Sequence, residues 1–261
     1  MGLWGYIVVR FVQSLVVLFF VSIATFLLMH AVPGDPVNAI IGERQAERPE
    51  VRAAIESQYG LDKPLPVQYF HYVNNLLHGD MGTTITDRKD VRQQLSLVVP
   101  ATMELAFVAM LFAISVGVPL GIIAAVKQGK WQDHVARFFS LLGTSMPVFW
   151  LGLLLAYLLT YKFQLLPRSG QLDVGMRRPP QVTGFISIDA LLAGETEVFW
   201  SLVRHIILPA IVLGAFAMGI ISRMLRSSLV AALNDDYVRT ARAKGVSEYQ
   251  GVRRHALRNA L

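Results

Sequence analysis

The chain has 261 residues, of which 54% are hydrophobic and only 16% charged, with a mean hydropathy of +0.47. Soluble domains carry roughly 25% charged residues, so this composition excludes an ordinary soluble globule and puts the chain in lipid. Cysteine is absent, which removes disulfides, thiolate metal sites and a cysteine nucleophile; the formal charge of +6 must be divided between the two sides of a membrane before it argues for any partner.

Four apolar segments approach the ~20 residues that cross a bilayer as a helix. The first, in residues 1–32, is apolar from about Phe11 to Val32. It is too long for a signal-peptide core, has only Arg10 before it and lacks an A-x-A site, so a retained signal anchor is expected. Residues 33–100 are polar enough to lie outside the bilayer. "PGDP" (33–36) breaks the first span, and "PEVRAAIESQYG" (49–60) predicts a helix with Pro49 in its first turn and Gly60 at its stop. A second helix is expected after Pro64, with Phe70, Val73, Leu76 and Leu77 on one face, and "HGDMGTT" (78–84) is a turn. This segment reads equally as a folded extracytoplasmic cap or as a partner-docking surface. His71 and His78 fit surface histidines better than a metal site.

The second span (101–126) carries small residues at every fourth position, Ala109, Ala113, Gly117, Gly121 and Ala125, a ladder that lets another helix approach closely in lipid. A short loop (127–134) leads to the third span (135–161), where Ser140, Thr144, Gly152, Ala156 and Thr160 form a stripe interrupted by Val148. Residues 162–205 are rich in Pro and Gly and predict loop with short helical pieces. The fourth span and its extension cover 206–233, with Ala210/Gly214 and Ala215/Gly219 as small pairs. Pro119, Pro147 and Pro209 fall within spans, where neighbours or cavity water can take up the freed carbonyls. These features fit plain helix packing, or a bundle around a path in which Ser140, Thr144 and Pro147 are candidate pathway or hinge residues. Glu104 and His30 sit near span ends and the span middles carry no ionisable group, which argues against a proton-driven transporter. No H-E-x-x-H occurs, nor a G-x-S-x-G with a plausible histidine partner, so a membrane protease is disfavoured.

Lys/Arg placement sets the orientation. With the N-terminus in the cytoplasm, the inner segments hold 12 basic and four acidic residues (+8), and the rest holds 12 and 14 (−2). The short loop 127–134, with Lys127 and Lys130, is the clearest indicator.

Residues 234–261 are then cytoplasmic and carry six Lys/Arg after Asp235. Asn234 is a candidate N-cap or kink, and Asp235 and Asp236 suit a first turn. Gly245 suits a left-handed helix stop, and Ser247 with Gln250 fits a capping box. The pattern predicts helix, glycine corner, helix. Anionic lipid accounts for the charge at ~1 kcal/mol per residue, but not for a capped corner flanked by Ala241 and Ala243, which suits close docking of another protein. Nucleic acid is disfavoured because no aromatic stacking platform accompanies the charge.

"DDYVRTARAKGVSEYQGVRRHALRNAL" (235–261) resembles the EAA loop of bacterial ABC-importer permeases, in the form used by the dipeptide, oligopeptide, glutathione and nickel branch. "PGDP", "YGLDKPLPVQY" (59–69), "GDMG" (79–82), "PATMEL" (100–105), "SMPVFWLG" (145–152), "LLPRSG" (165–170) and "HIILPAIVLG" (205–214) extend the likeness along the whole chain, to the first of the two permease subunits. Arg239-Thr240-Ala241 stand where the general motif has E-A-A, and His255, Leu257 and Arg258 where it has I-x-L-P.

The resemblance implies an all-α, polytopic transmembrane bundle of the type I ABC-importer kind, with a partly helical extracytoplasmic segment after the first span. It also implies a multi-pass inner-membrane location, a second homologous permease subunit, two cytoplasmic ATPase subunits and an extracytoplasmic substrate-binding protein. Thr240, Ala241, Arg242, Ala243, Lys244, Gly245, Val246, Ser247 and Glu248 would form the coupling loop that docks on an ATPase. ATP and Mg would sit on those ATPases; this chain has no G-x-x-x-x-G-K-[ST] and is expected to bind no cofactor and to catalyse no reaction. Members of the branch have six spans and only four are read here, so the chain is expected to stop before a fifth. The importer function carries two alternatives: a same-fold nickel, glutathione or opine importer, and a non-transporting membrane scaffold for a cytoplasmic protein.

Overall fold

The computed structural model describes residues 2–31, 34–84, 89–236, 240, 250 and 257. Among these the protein is helical and has no strand; Thr83 and Asp90 make one isolated antiparallel bridge. The chain divides into two compact units, Met1–Leu95 and Ser96–Leu261.

In the first unit, α1 (Leu3–Ala31) is a single apolar helix of 29 residues with no buried residue. Three short helices follow, α2 (Pro36–Ile41), α3 (Glu43–Ala46) and α4 (Pro49–Tyr59). Asp35 N-caps α2 by accepting from the Val37 amide (2.9 Å), and its other oxygen accepts from Arg52 Nη1 (2.6 Å). The Arg52 guanidinium holds the Asp35 carboxyl below the ordinary carboxylate value. Pro49 opens α4, and Gly60, at φ +64°, closes it in the left-handed conformation that glycine adopts without penalty. Then α5 (Leu65–Leu77) follows Pro64, and glycines at positive φ (Gly79, Gly82) make the turn after it.

α6 is Val91–Val126, with all but its first five residues in the second unit; there α7 is Trp131–Ser145, α8 is Val148–Leu155, α9 is Ile186–Leu192 and α10 is Thr196–Asn234. A π-helical turn, Ala156–Lys162, prolongs α8. By length and composition α1, α6 and α10 can each cross a membrane. The third apolar segment is not one straight span. It consists of α7 and α8 with its π turn, bent by 111° at Met146-Pro147. Pro147 explains the break, since it cannot donate and drives the residue before it out of the helical region; Met146 is extended (φ −82°, ψ 132°).

Helix lengths also exceed the apolar stretches. The helix of the second span starts at Val91, ten positions before Ala101, and that of the fourth starts at Thr196. Hydropathy marks only the part that lipid requires to be apolar, while helical hydrogen bonding continues through the polar flanks. Pro119 and Pro209 lie inside unbroken helices. At the far end Asn234 is the last residue of α10, its side-chain nitrogen donating to the Val230 carbonyl (3.0 Å), and Asp235 is extended, a break next to the position expected to cap or kink the chain.

Candidate functional site

α10 packs against both α6 and α7, and small residues let both approach. A Cβ at Gly214 would meet the Ala109 carbonyl oxygen at 2.5 Å. One at Gly117 would meet Met218 O, and one at Gly121 Ser222 O, both at 2.9 Å. Ala125 packs further on with Leu229 and Ala232. Contacts thus advance in the same direction along both chains, so α6 and α10 run parallel. All five small residues of the ladder, Ala109, Ala113, Gly117, Gly121 and Ala125, are buried.

On an adjoining face α10 meets α7 in the opposite sense. Gly143 abuts the Ala215 carbonyl and Gly219 abuts the Ser140 carbonyl, with no room for a side chain at either. Ser140 is buried; its Oγ lies 2.8 Å from Ser222 Oγ on α10 and 2.8 Å from the Ala136 carbonyl. Thr144 directs its methyl at Gly219 and its hydroxyl back to the Ser140 and Leu141 carbonyls (3.3 Å each). Pro147 sits at the bend. Of the stripe beyond it, Thr160 is buried, and a Cβ at Gly152 would meet Val212 at an ordinary 3.6 Å.

The end of this trio that holds the α6–α7 loop is tied by a charge cluster that the sequence reading did not identify. Asp133, 1% exposed, takes Arg226 Nε (2.9 Å) on one oxygen and Arg226 Nη2 (3.0 Å) on the other, a two-point fork. It also accepts from the Gly129 amide (3.0 Å), and Arg137 Nε lies 3.1 Å away. The signal available in the sequence was weak: one acid among Lys127, Lys130 and Arg137, and two arginines closing an apolar run. Arg226 stands nine residues before Asp235, about 13 Å along the helix, so the tie holds the part of α10 that leads into the tail. Thr240 is exposed and its hydroxyl donates to the Asp236 carbonyl (2.9 Å). Ala241, Arg242, Ala243, Lys244, Gly245, Val246, Ser247 and Glu248 lie outside the described residues.

At the opposite end, the loop before α10 is pinned by two buried carboxylates. Glu104 accepts from the Ser187 amide (2.9 Å) in the first turn of α9, where negative charge suits the helix dipole. Asp189 accepts from the Thr183 amide (2.7 Å), the Thr183 hydroxyl (2.8 Å) and the Gly184 amide (3.0 Å). Burial opposes its ionisation, but these donors outweigh that, and the Asp189 carboxyl lies below its ordinary value. Its contribution is therefore complete above the unfolded value of about 3.9 and is lost as pH falls through the folded one. Hydrogen exchange at Thr183 and Gly184 tests this: their protection should weaken below about pH 4, and Asp189→Asn should show weak protection at neutral pH with no further acid step. Unchanged protection in the variant would contradict the pinning role.

The arrangement can transmit movement: one long helix, gripped on two faces by near-contact backbones, links a pinned loop at one end to a charged tie and the tail at the other. The sequence matches the family described as "Binding-protein-dependent transport system inner membrane component" over residues 117–261, and the corresponding N-terminal family over residues 3–106. It is 44% identical over 241 residues to the probable D,D-dipeptide transport system permease protein DdpB of Escherichia coli (strain K12), covering 92% of this chain and 70% of that one. It is 47% identical over 243 residues to the di/tripeptide transport system permease protein DppB of Pseudomonas aeruginosa (strain UCBPP-PA14), covering 93% and 72%. To the glutathione transport system permease protein GsiC of Salmonella choleraesuis (strain SC-B67) it is 35% identical over 258 residues, covering 98% and 74%. With family matches over nearly its whole length and three to four helices fit to cross a bilayer, this chain belongs to the inner-membrane permease components of binding-protein-dependent transport systems.

Proposed function

We propose that this chain is a permease subunit of an ATP-binding-cassette importer for peptides, forming one half of the translocation path with a second, homologous permease. The observation that carries the substrate class is the likeness along 92–93% of the chain to permeases named for dipeptide and di/tripeptide transport. The N-terminus lies in the cytoplasm in this reading, supported by Lys127 and Lys130 in the short α6–α7 loop. Parallel α6 and antiparallel α7 then bring that loop and the tail after Asp235 to the same, cytoplasmic side. An extracytoplasmic binding protein delivers substrate, and two ATPase subunits, which hold ATP and Mg, dock on residues 240–248. Their closure moves α10 through the tail, and α6 and α7 follow because their backbones cannot slip past its glycines.

The test is uptake of labelled di- and tripeptides into vesicles carrying this chain with its second permease and ATPases, supplied with binding protein. ATP-dependent peptide uptake is expected; uptake of a nickel complex with none of peptide would overturn the substrate class. ATPase binding without any uptake would favour a scaffold instead. In the same assay Gly245→Val should cut uptake about tenfold or more while ATP hydrolysis continues, because a β-branched residue resists positive φ and ~1.4 kcal/mol of strain is a factor of ten. Normal coupling in that variant would sink the glycine-corner reading.

A further inference from the structure

The segment after the first span holds a helix whose composition does not suit a water-exposed cap. From Leu65 to Leu77, α5 has no Asp, Glu, Lys or Arg. At 100° per residue its polar side chains, Gln68, His71, Asn74 and Asn75, fall on one arc of about 120°. Leu65, Tyr69, Phe70, Tyr72, Val73, Leu76 and Leu77 fill the opposite half. Much of that half is uncovered within the described residues: Phe70 is 69% exposed and Leu77 80%.

The contacts with α1 give this amphipathic helix a direction. Its polar edge meets the end of α1, where His30 Nε2 lies 3.2 Å from Gln68 Oε1. Its apolar edge meets α1 deeper. Tyr69 stacks edge-on against Phe26 (5.4 Å between centroids) and Phe19 (6.5 Å), and its hydroxyl lies 2.7 Å from Ser22 Oγ. Ser22 is nine residues below Ala31, about 13 Å down a helix, nearly the ~15 Å half-thickness of a bilayer's hydrocarbon. Ser22 and Thr25 otherwise return their hydroxyls to their own helix, to the Phe19 and Val21 carbonyls.

We propose that α5 is an interfacial helix lying in the outer leaflet beside α1, with Gln68, His71, Asn74 and Asn75 at the headgroups and Phe70 and Leu77 among acyl chains. The occupant of its open apolar face is therefore lipid. The arguments are continuity with α1, itself apolar and without a buried residue, the lack of formal charge on α5 and the strong exposure of Phe70 and Leu77. An interfacial helix of this kind fixes where α2 to α4 stand above the membrane: Gln68 Nε2 donates to the Leu61 and Lys63 carbonyls, clamping the α4–α5 link to α5.

The inference rests on α1 being a membrane span, and the experiment separates the two. Because the chain has no cysteine, single substitutions Phe70→Cys, Leu77→Cys, Phe20→Cys (α1) and Glu50→Cys (α4) can each carry a nitroxide label. The labelled chain is placed in nanodiscs of phosphatidylethanolamine and phosphatidylglycerol, and relaxation by oxygen and by a water-soluble nickel chelate is read at each site. Labels at 70 and 77 should respond to oxygen and be shielded from the chelate, as at 20, and the label at 50 should show the reverse. Chelate access at 70 and 77 equal to that at 50, with 20 still shielded, overturns the proposal and leaves a water-facing cap or a protein-docking face. Chelate access at 20 as well overturns the reading of α1. Tyr72→Cys supplies a further α5 site should one variant fail to fold.

Discussion

Gly219→Ala is expected to destabilise the helix trio by about 2 kcal/mol, the range for forcing one methyl into a site with no room, and Gly143→Ala to do the same. Alanine favours a helix over glycine by ~1 kcal/mol where nothing stands in the way, so any loss measures the clash. At Gly219 the new methyl meets the Ser140 carbonyl and the Thr144 methyl; at Gly143 it meets the Ala215 carbonyl. Backbone atoms cannot rotate aside as a side-chain tip can, so α7 and α10 would have to separate. Separation would also part Ser140 Oγ from Ser222 Oγ, a buried pair 2.8 Å apart. Gly152→Ala is the control. The added methyl would meet a Val212 methyl at an ordinary 3.6 Å, so the variant should be neutral or more stable by up to about 1 kcal/mol. The measurement is heat-induced loss of monodisperse protein in detergent for the three variants side by side. Equal midpoints for Gly219→Ala and Gly152→Ala would refute close backbone packing at this crossing.

These glycines also mark what could be read in the sequence. Ala109, Ala113, Gly117, Gly121 and Ala125 recur every fourth residue, and that period on an apolar helix specifies a packing face before any partner is known. Pro49 and Gly60 bound α4 because each has one strong conformational preference. The 111° bend was less legible: Pro147 was read as a flexible point inside one span, since composition alone does not distinguish a kinked helix from two helices. Least legible were contacts between distant positions. Glu104 and Ser187 are 83 residues apart and Asp133 and Arg226 are 93 apart, and no local period announces a pair that only the parallel and antiparallel courses of α6 and α7 along α10 bring together. α5 failed in a different way. Its apolar face was visible, but its direction relative to the bilayer came only from the Gln68–His30 and Tyr69–Ser22 pairs.

Asp133→Ala should cost the assembled protein about 3–5 kcal/mol, the range for removing one partner of a buried ion pair, and should abolish most transport. The variant leaves Arg226, only 24% exposed at its side chain, without its fork, and takes the acceptor from the Gly129 amide that shapes the loop before α7. Arg226→Lys should also lose uptake, since an ammonium cannot make the two-point fork to both carboxylate oxygens. Double replacement Asp133→Ala with Arg226→Met should be milder than Asp133→Ala alone, because no unpaired charge then remains buried. The coupling energy from that cycle should be about 1 kcal/mol or more. Heat stability and ATP-driven uptake are the two readouts, and they divide the roles of the tie. If the double variant regains stability but not uptake, the fork is needed to carry motion between α10 and the α6–α7 loop, as its place nine residues before Asp235 implies. If both return together, it only holds the helices. A coupling energy near zero would mean that Arg226 does not depend on Asp133 at all, and the tie between α7 and α10 would have to be sought in the glycine contacts and the Ser140–Ser222 bond.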